Sequence, residues 1–407
     1  MLIKRNHNWR KNMSKIIAIN AGSSSLKFQL FSMPEETVIA KGLIERIGLK
    51  DSILTIKYDN GKKYEDVLDI DNHSVGVQLL LKLLLQLDII ADFNEISGVG
   101  HRVVAGGEFF KKSTLVNADT IAKIDELSEL APLHNPANLL GIQAFEEILP
   151  TATSVAVFDT AFHQTMPEES YMYSVPYEWY EKYGARRYGA HGTSVRYVVS
   201  EAEKLFDKDP KELKLITLHL GAGASITATV GGKSIDTSMG FTPLAGITMA
   251  TRSGDVDVSL VAYMMRQLKI TDIDEMVNIL NRKSGLLGIS GISPDMRDVK
   301  AQLGKNPRAD LAVKIYVQNI IKYIGQYIAE MQGVDGIIFT AGLGENDRIV
   351  RRRVIEHLSY LGIGFDAENN EKMGEQVMLS TPESAVKVFA IPTDEELVIA
   401  RDVQSLM

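Results

Sequence analysis

The chain contains near its start the sequence KIIAINAGSSSLKFQLF, residues 15–31. The β-branched run at its beginning and the alternating run at its end predict two strands joined by a hairpin of small residues. Such residues let the backbone approach a polyanion, their N–H and hydroxyl groups can donate to phosphate oxygens, and Lys27 adds a positive charge. Residues 20–27 therefore predict a phosphate-binding hairpin, with a polar surface turn as the alternative interpretation.

The same pattern returns 200 residues later. Residues 16–19 align with residues 216–219, and the loop NAGSSS at 20–25 aligns with LGAGAS at 220–225. A repeated strand, small-residue turn and strand indicates a duplicated unit. A chain of 407 residues also exceeds the roughly 250–300 residues that one hydrophobic core supports. We therefore expect an α/β protein of two duplicated domains, with an active cleft between them.

Further elements extend each half of the chain. Strands are predicted at residues 35–46 and 52–58, and a helix at residues 75–90. A second helix follows the 3–4 spacing of apolar residues from 313 to 331 and stops near Gly333. The first domain is predicted to span residues 13–162 with a C-terminal return at 393–407, and the second to span residues 163–392.

A third glycine-rich segment lies in the second half of the chain. The buried strand predicted at residues 336–340 is followed by AGLGEN and by a helix predicted at 347–358. A strand, a glycine turn and a helix N-terminus in this order are typical of an anion or nucleotide site.

Composition excludes several classes of protein. Hydrophobic residues make up 45% of the chain and charged residues 24%, a balance that excludes a mainly disordered protein. The formal net charge of −8 does not suit a nucleic-acid partner, which needs clustered positive charge. The chain has no cysteine, which excludes disulfides, zinc–thiolate sites, iron–sulfur clusters and a cysteine nucleophile, and fits a cytoplasmic location.

The sequence also predicts no membrane partner. Its longest apolar stretch, residues 77–90, is interrupted by polar residues and is shorter than the roughly 20 residues of a membrane span. Residues 1–12 are basic and polar without an apolar core, so they are not a secretory signal. We interpret them as a disordered extension, a leader or a mis-called start, and a basic nucleic-acid arm is a weaker alternative.

Five polar residues could carry chemistry. Asp159 follows an apolar strand, while Arg102, His191, His219 and Arg252 lie beside glycines. Each has an ordinary structural explanation when it is taken alone. Together with the glycine loops they suit phosphoryl transfer, which depends on positioning and charge neutralisation. The chain lacks a P-loop, a protein-kinase motif set, a dinucleotide fingerprint and a GxSxG nucleophile elbow.

At the level of its motifs the sequence resembles the acetate kinases, a family of the acetate and sugar kinase/Hsp70/actin superfamily. The motifs occur in the family's order from Ser14 to Asp402, and include INAGSSSLKF, VFDTAFH, HLG-GAS, TRSGDVD, GISPDMRD and TAGLGEN. The resemblance implies two ribonuclease H-like (actin-like ATPase) domains. It also implies a homodimer and a reversible transfer of phosphate from ATP to acetate that gives acetyl phosphate and ADP, with Mg²⁺ or alternatively Mn²⁺.

The resemblance also implies a role for individual residues. Asp159 matches the family's catalytic acid/base residue, and His191 and Arg252 match its transition-state stabilisers. Asn20 and Glu395 match its metal-binding positions. Substrate contacts are implied for Arg102, Val104, Leu133 and Pro243. ATP contacts are implied for Lys27, His219, Leu220, Gly221, Ala222, Gly223, Asp295, Met296, Arg297, Gly342, Leu343, Gly344, Glu345 and Asn346.

Two departures from the family pattern bear on specificity. Ala190 stands where many relatives have phenylalanine, and it is expected to leave room beside the acetate methyl group. Ala222 replaces an asparagine of the nucleotide loop. A kinase for propionate or another short-chain acid is the nearest alternative function, and an ATP-driven binding protein of the Hsp70/actin type is the alternative from another class.

Overall fold

The structure is a computed structural model that describes residues 14–132 and 134–407. The predicted N-terminal extension, residues 1–12, and the predicted substrate residue Leu133 lie outside these ranges. The described residues divide into two compact units. Unit 1 comprises the described residues up to Ala161 together with Asp394–Met407, and unit 2 comprises Phe162–Thr393.

The strands and helices of the described residues are as follows. The strands are β1 (Ser14–Gly22), β2 (Ser25–Met33), β3 (Thr37–Glu45), β4 (Ser52–Tyr58), β5 (Lys62–Leu68), β6 (Ile96–Val103), β7 (Thr114–Leu115), β8 (Thr153–Phe158), β9 (Lys214–Leu220), β10 (Ala224–Val230), β11 (Lys233–Thr237), β12 (Gly336–Thr340), β13 (Val377–Met378) and β14 (Lys387–Ala390). The helices are α1 (His73–Gln86), α2 (Ala118–Glu126), α3 (Asn135–Ile148), α4 (Glu168–Tyr171), α5 (Tyr177–Tyr183), α6 (Gly192–Glu203), α7 (Val258–Leu268), α8 (Ile273–Arg282), α9 (Gly285–Ser290), α10 (Met296–Lys300), α11 (Pro307–Met331), α12 (Ala341–Asn346), α13 (Arg348–His357) and α14 (Glu395–Leu406).

Each unit is built on one mixed sheet, and the two sheets share a topology. The order in unit 1 is β5-β4-β3-β2-β1-β6-β8-β7, and the order in unit 2 is β11-β10-β9-β12-β14-β13. In both sheets three neighbouring strands are antiparallel, namely β3-β2-β1 in unit 1 and β11-β10-β9 in unit 2. The next two strands run parallel to β1 in unit 1 and to β9 in unit 2. The expected duplication is therefore confirmed, with β3-β2-β1-β6-β8 corresponding to β11-β10-β9-β12-β14.

The glycines of β6 determine how closely α14 packs in unit 1. A Cβ atom on Gly98 would lie 2.4 Å from the Val403 side chain, and one on Gly100 would lie 2.2 Å from Ile399. Only glycine therefore lets α14 lie directly on the strand. Because strand residues alternate in direction, Arg102 faces the same side as these glycines, toward the helix that begins at Glu395.

Some predicted elements differ from the observed ones. AGLGEN is not a glycine turn but the short helix α12, which begins at Ala341 in a left-handed conformation with φ of 63°. Asp347 caps the next helix by accepting from the backbone N–H groups of Ile349 and Val350. The edge strand β5 was not predicted, because its mostly polar sequence KKYEDVL carries no clear apolar alternation. Among the described helices, none is both long enough and apolar enough to cross a membrane.

Candidate active site

The carboxyl ends of three neighbouring strands in unit 1 bring together Asn20, Arg102 and Asp159. Arg102 on β6 pairs with Val157 on β8, so Asp159, two residues further along, faces the same side of the sheet. The parallel register of β1 and β6 likewise sets Asn20 beside Arg102. Sheet register therefore joins residues that are far apart in the sequence.

Arg102 is the centre of this unit 1 cluster. Its Nε and Nη2 atoms donate to the two carboxylate oxygens of Asp159 at 3.0 and 2.6 Å, and its Nη1 donates to Asn20 Oδ1 at 3.3 Å. Glu395, in the first turn of α14, places Oε2 3.9 Å from Arg102 Nε. One edge of the guanidinium fork is thus held by Asp159, and the remaining N–H groups belong to Nη1 and Nη2.

Burial and charge act in opposite directions on this cluster. Burial disfavours the charge of Arg102, but the carboxylates of Asp159 and Glu395 raise the pKa of the guanidinium above its usual value. Burial raises the pKa of the Glu395 carboxyl to about 7, with Arg102 opposing the shift and Asp159 adding to it. A cation placed beside Glu395 would favour its ionised form.

Lys27 and Val104 belong to the same unit. Lys27 Nζ lies 2.6 Å from Oε1 of the buried Glu396, a partner that the sequence did not reveal. The Val104 backbone N–H donates to Asn138 Oδ1 at 3.2 Å, and the Val104 side chain packs beside Ala105. Asn138 therefore holds the loop that leaves β6 just after Arg102.

Unit 2 contains a stacked pair of histidines. His191 precedes α6 in a left-handed conformation, and its ring lies on that of His219 with 4.0 Å between centroids and 16° between planes. His191 Nδ1 lies 2.9 Å from Ser225 Oγ, and His219 Nδ1 lies 2.9 Å from Ser194 Oγ. Both rings are therefore oriented by buried serine hydroxyls.

Arg252 and His191 converge on the space beside Gly223. Arg252 Nη1 donates to the Pro243 carbonyl at 3.1 Å, and burial lowers the pKa of Arg252 from its usual value. A Cβ atom on Gly223 would lie 3.3 Å from Arg252 Nη1 and 3.6 Å from His191 Nε2. A guanidinium nitrogen and an imidazole ring beside one small space suit an oxyanion.

A cavity of about 600 Å³ begins at the loop that follows β9. Its volume suits a nucleotide-sized ligand. Three of the predicted nucleotide segments contribute to its walls. It is lined by Gly221, Ala222, Ala250, Leu286, Pro294, Asp295, Met296, Arg297, Lys300, Gly342, Leu343, Asn346 and Asp347.

Five of the predicted ATP residues of unit 2 do not border this cavity. Leu220 is buried in the core of unit 2, and Gly344 packs against the backbone of Phe339. Glu345 accepts from the Thr393 backbone N–H at 3.1 Å, and burial raises the pKa of its carboxyl. His219 and Gly223 lie in the loop beside Arg252 and His191 as described above.

Charged side chains form part of the lining of the cavity. Asp295 caps α10, and its ion pair with Arg297 at 2.5 Å lowers the pKa of Asp295 to about 2. Lys300 Nζ lies 2.7 Å from the carboxylate of Asp347. Sequence reasoning missed Lys300 and Asp347 as residues of the cavity. Lys300 was recognisable, because it follows Arg297 by three residues on the same helix and therefore lies beside it.

Ala190 lies in the core of unit 2. Its side chain is only 3% exposed and packs in the core of unit 2, and its carbonyl lies 2.9 Å from His163 Nε2. A side chain so deeply buried offers almost no surface to an acceptor. The expectation that Ala190 leaves room beside a methyl group stays a prediction.

The oxygen atoms of Asn20 and Glu395 have the right chemistry for Mg²⁺. This ion takes one or two protein oxygens and completes its shell with phosphate and water. Across residues 14–132 and 134–407, no group of three or more acidic or histidine side chains could hold a metal by itself. An ion held by Asn20 and Glu395 would complete its shell with phosphate and water oxygens.

The duplicated actin-like fold, a nucleotide-sized cavity and clustered arginine, histidine and carboxylate groups define an ATP-using phosphotransferase. The comparisons with known proteins identify its family. The chain belongs to the Acetokinase family, whose profile matches residues 15–401.

Relatives and solved structures agree with this assignment. The chain is 59% identical over 395 residues to acetate kinases of Enterococcus faecalis and of Bacillus subtilis, covering 97% of this chain and 100% of each relative. The crystal structure of Porphyromonas gingivalis acetate kinase matches with a TM-score of 0.91 and 44% identity, over 97% of this chain and 99% of that one. A propionate kinase structure from Francisella tularensis matches with a TM-score of 0.91 and 40% identity, over 97% of this chain and 100% of that one.

Proposed function

We propose that this enzyme transfers the γ-phosphoryl group of ATP to acetate, reversibly, and yields acetyl phosphate and ADP. The observation that carries the proposal is the convergence of Arg252 Nη1 and His191 Nε2 beside Gly223, next to the cavity wall formed by Gly221 and Ala222. The acceptor is proposed from the 59% identity to two acetate kinases.

The transfer is written as a direct displacement. An acetate oxygen forms a bond to the γ-phosphorus, the bond from that phosphorus to the β–γ bridging oxygen breaks, and ADP leaves with the electron pair. Because a carboxylic acid is ionised at neutral pH, the acceptor has no proton to lose. We propose that Arg252 and His191 donate to the oxygens of the transferring group, whose charge they stabilise.

In unit 1 we propose that Arg102 binds the acetate carboxylate through its remaining N–H groups. Asp159 keeps the guanidinium in a fixed orientation, because it accepts from Nε and Nη2. This assignment differs from the acid/base role implied by resemblance, since an ionised acceptor needs no base. Lys27 is proposed to bind ATP. The ATP phosphates would then compete with the Glu396 carboxylate for the ammonium group of Lys27.

Asn20 and Glu395 are proposed to hold Mg²⁺, with Mn²⁺ as an alternative. When bound, the ion neutralises phosphate charge and helps to orient the γ-phosphoryl group. The ionised Glu395 carboxylate and the Asn20 amide oxygen would supply the protein ligands, and Arg102 Nη1 donates to Asn20 Oδ1 at 3.3 Å.

Trapping of acyl phosphate as its hydroxamate tests the proposed function. With ATP, Mg²⁺ and hydroxylamine, we expect hydroxamate to form only when acetate is present. Hydrolysis of ATP that is indifferent to acetate, with no hydroxamate formed, would contradict the proposal and favour an ATP-driven binding protein. Omission of Mg²⁺, with EDTA present, tests the metal.

Propionate is the second candidate acceptor, because a propionate kinase structure matches the chain at 40% identity. One methylene in an apolar pocket changes discrimination by about 1–3 kcal/mol. We expect acetate to be preferred over propionate and butyrate. A higher kcat/KM for propionate than for acetate would identify propionate as the preferred acceptor.

The Ala190→Phe variant separates a role in packing from a role in specificity. Because Ala190 is buried in the core of unit 2, the larger ring should overpack the core and lower the free energy of unfolding by about 1–3 kcal/mol. We expect the acetate-to-propionate ratio of kcat/KM to stay the same. Denaturant unfolding and steady-state kinetics measure the two quantities. A changed ratio of kcat/KM with an unchanged free energy of unfolding would support a position of Ala190 beside the acyl group.

The Gly223→Ala variant tests the space between the two donors. The added methyl group would lie 3.3 Å from Arg252 Nη1 and 3.6 Å from His191 Nε2, where the phosphoryl oxygens are proposed to lie. We expect kcat to fall by about 10²-fold, as for the loss of one oxyanion donor. Gly325→Ala is the control, because a Cβ atom there meets nothing within 4 Å. Equal activity of both variants would contradict the assignment.

We propose that the enzyme is a homodimer, supported by an apolar surface on α7 and α8. Helix α7, with the sequence VSLVAYMMRQL, has no buried residue. The side chains of Val258, Leu260 and Tyr263 are 79%, 49% and 51% exposed. A second copy of the chain covering this face would remove these exposed apolar side chains from water.

The Val258→Glu variant tests the homodimer. Glutamate in the first turn of α7 is compatible with the helix dipole, so the helix should persist while the apolar contact is lost. We expect light scattering after gel filtration to show a dimer for the wild type and a monomer for the variant. Val67→Glu, at a 57% exposed position on the edge strand β5, is the control and should stay dimeric. A dimeric Val258→Glu would contradict the proposed face.

We propose a cytoplasmic location, because the proposed reaction consumes or produces ATP. Cell fractionation with an antibody against the chain tests this location.

A further inference from the structure

An ion pair joins two segments of the wall of the unit 2 cavity. One segment, residues 294–300, contains α10, and the other, residues 342–347, contains most of α12. Together they supply most of the residues that line the cavity. Lys300 of the first segment places Nζ 2.7 Å from Oδ2 of Asp347 in the second.

The Asp347 carboxylate is held firmly on its own segment. Its Oδ1 atom caps α13 by accepting from the backbone N–H groups of Ile349 and Val350, both at 3.1 Å. The Asp347 backbone N–H donates to the Leu343 carbonyl at 2.8 Å. Asp347 is only 2% exposed, so its charge has almost no access to water. A buried carboxylate of this kind needs a positive partner at close range.

Lys300 supplies this partner from the opposite segment. The angles between Lys300 Nζ and Asp347 Oδ2 do not suit a hydrogen bond, so the attraction is one between charges. A second cation that interacts with Asp347, Arg351, belongs to α13 and donates to the carbonyl of Glu345 in the same segment. Arg351 therefore strengthens one segment, whereas Lys300 connects the two.

The charges of the cavity wall compensate one another. Arg297 pairs with Asp295 as Lys300 pairs with Asp347, and the charges of the described residues that line the cavity sum to zero. A wall without net charge offers little attraction to a chain of phosphates. It suits the uncharged base and ribose of a nucleotide better, because such groups bind mainly to apolar surface with a few polar contacts.

We propose that Lys300 and Asp347 are positioning residues that hold the two wall segments at the separation that binds the nucleoside part of ATP or ADP. The inference rests on the proposed function, in which this cavity binds the nucleotide. Neither residue contacts the phosphates in this proposal. Without the ion pair, nucleotide binding would have to order the two segments, and affinity would fall by the cost of that ordering.

The Lys300→Met variant removes the charge and keeps an unbranched side chain. We expect the Kd for ADP to rise about 10-fold, within the usual range of coupling between contacting residues. The Kd for adenosine should rise by the same factor, because the nucleoside part is affected. The KM for ATP should rise more than kcat falls. Isothermal titration and steady-state kinetics measure these quantities, and Lys300→Arg, which keeps the charge, should recover most of the affinity.

The Asp347→Asn variant separates the ion pair from the helix cap. Asparagine caps helices about as well as aspartate, so α13 should keep its first turn while the charge opposite Lys300 is lost. We expect the same rise in the Kd for ADP as in Lys300→Met. The double variant should bind ADP no more weakly than either single variant, because both changes break the same link.

Lys208→Met is the matched control. Lys208 Nζ lies 2.8 Å from Asp335 Oδ2 in the same unit, and this oxygen also accepts from a backbone N–H group, that of Lys214. Lys208 and Asp335 are not among the described residues that line the cavity. The Kd of the control for ADP should stay within about 2-fold of the wild type. Thermal melting shows which variants are folded at the temperature of titration, and Asp347→Asn carries the test if Lys300→Met is not.

The outcomes distinguish this inference from the proposed function. A wild-type enzyme that binds neither ADP nor adenosine would contradict the function. Wild-type binding together with an unchanged Kd in Lys300→Met would overturn only the inference. A loss of affinity for ADP but not for adenosine would also overturn it, as would a loss in Lys300→Met that is absent in Asp347→Asn. Lys300 would in those cases bind the phosphates directly.

Discussion

Replacement of Arg252 by alanine is expected to lower kcat by about 10²–10³-fold, the typical loss when one donor to a developing charge is removed. Arg252 Nη1 is the nitrogen closest to the space beside Gly223, and its position is set by the bond to the Pro243 carbonyl. Its charge is needed most when the phosphoryl group is in flight. The loss should therefore appear in kcat and not in the affinity for ATP.

Nucleotide affinity provides the internal check on Arg252→Ala. The cavity that we assign to the nucleotide is lined by other segments, among them residues 295–297 and residues 342 and 343, so ATP should bind the variant nearly as well as the wild type. Isothermal titration with ADP measures this affinity independently of turnover. Arg252→Lys should recover little activity, because a point charge does not reproduce the planar fork of donors.

A matched control shows whether charge alone matters. Arg352 is an exposed arginine on α13 that pairs with Glu356, and its replacement by alanine should leave kcat within about 2-fold of the wild type because exposed pairs contribute little. An Arg252→Ala enzyme with kcat in that same range would refute the assigned role.

The second large effect is expected from Asp159→Asn. The Asp159 carboxylate is 1% exposed and accepts from two nitrogens of Arg102, so the amide keeps the shape but removes the charge and one acceptor. Loss of one partner of a buried charge pair costs about 2–5 kcal/mol. We expect kcat/KM for acetate to fall by at least about 10²-fold, because Arg102 is no longer held for the acceptor.

The readout for Asp159→Asn separates the two substrates. KM for ATP should change little, whereas KM for acetate should rise, and thermal melting should show a lower Tm because Arg102 loses its ionic partner. Asp125→Asn, at an exposed position on α2, is the control and should affect neither quantity. Unchanged acetate kinetics in Asp159→Asn would show that the Arg102–Asp159 pair serves stability alone.

Several local features were predictable because they depend on residues close together in the sequence. The strand β4 (Ser52–Tyr58) and the strand β12 (Gly336–Thr340) match their predicted ranges. The hairpin of β1 and β2 follows from two apolar runs around small residues, and the duplication follows from a second copy of that pattern. Patterns of this kind reflect local backbone preference and burial, which short segments encode.

Other features were not predictable, because they depend on tertiary packing. AGLGEN contains two glycines, which locally favour a turn, yet it forms a helix between β12 and the capped start of α13. The packing of Ala190 in the core of unit 2 likewise depends on residues far from it in the sequence, and its expected place beside an acyl group stays a prediction. Leu133 and residues 1–12 lie outside the described residues, so their predicted roles stay predictions.

The sequence by itself determined which chemical groups this enzyme possesses, that its fold is duplicated, and to which family it belongs. Only the tertiary structure decided which groups meet. Arg102 and Asp159 are 57 residues apart, and Ser225 and His191 are 34 apart, yet each pair lies at hydrogen-bond distance. Local sequence patterns specify strands and turns but not the register between distant strands. A shift of one residue in that register would turn Arg102 on β6 or Ser225 on β10 to the opposite face of its sheet.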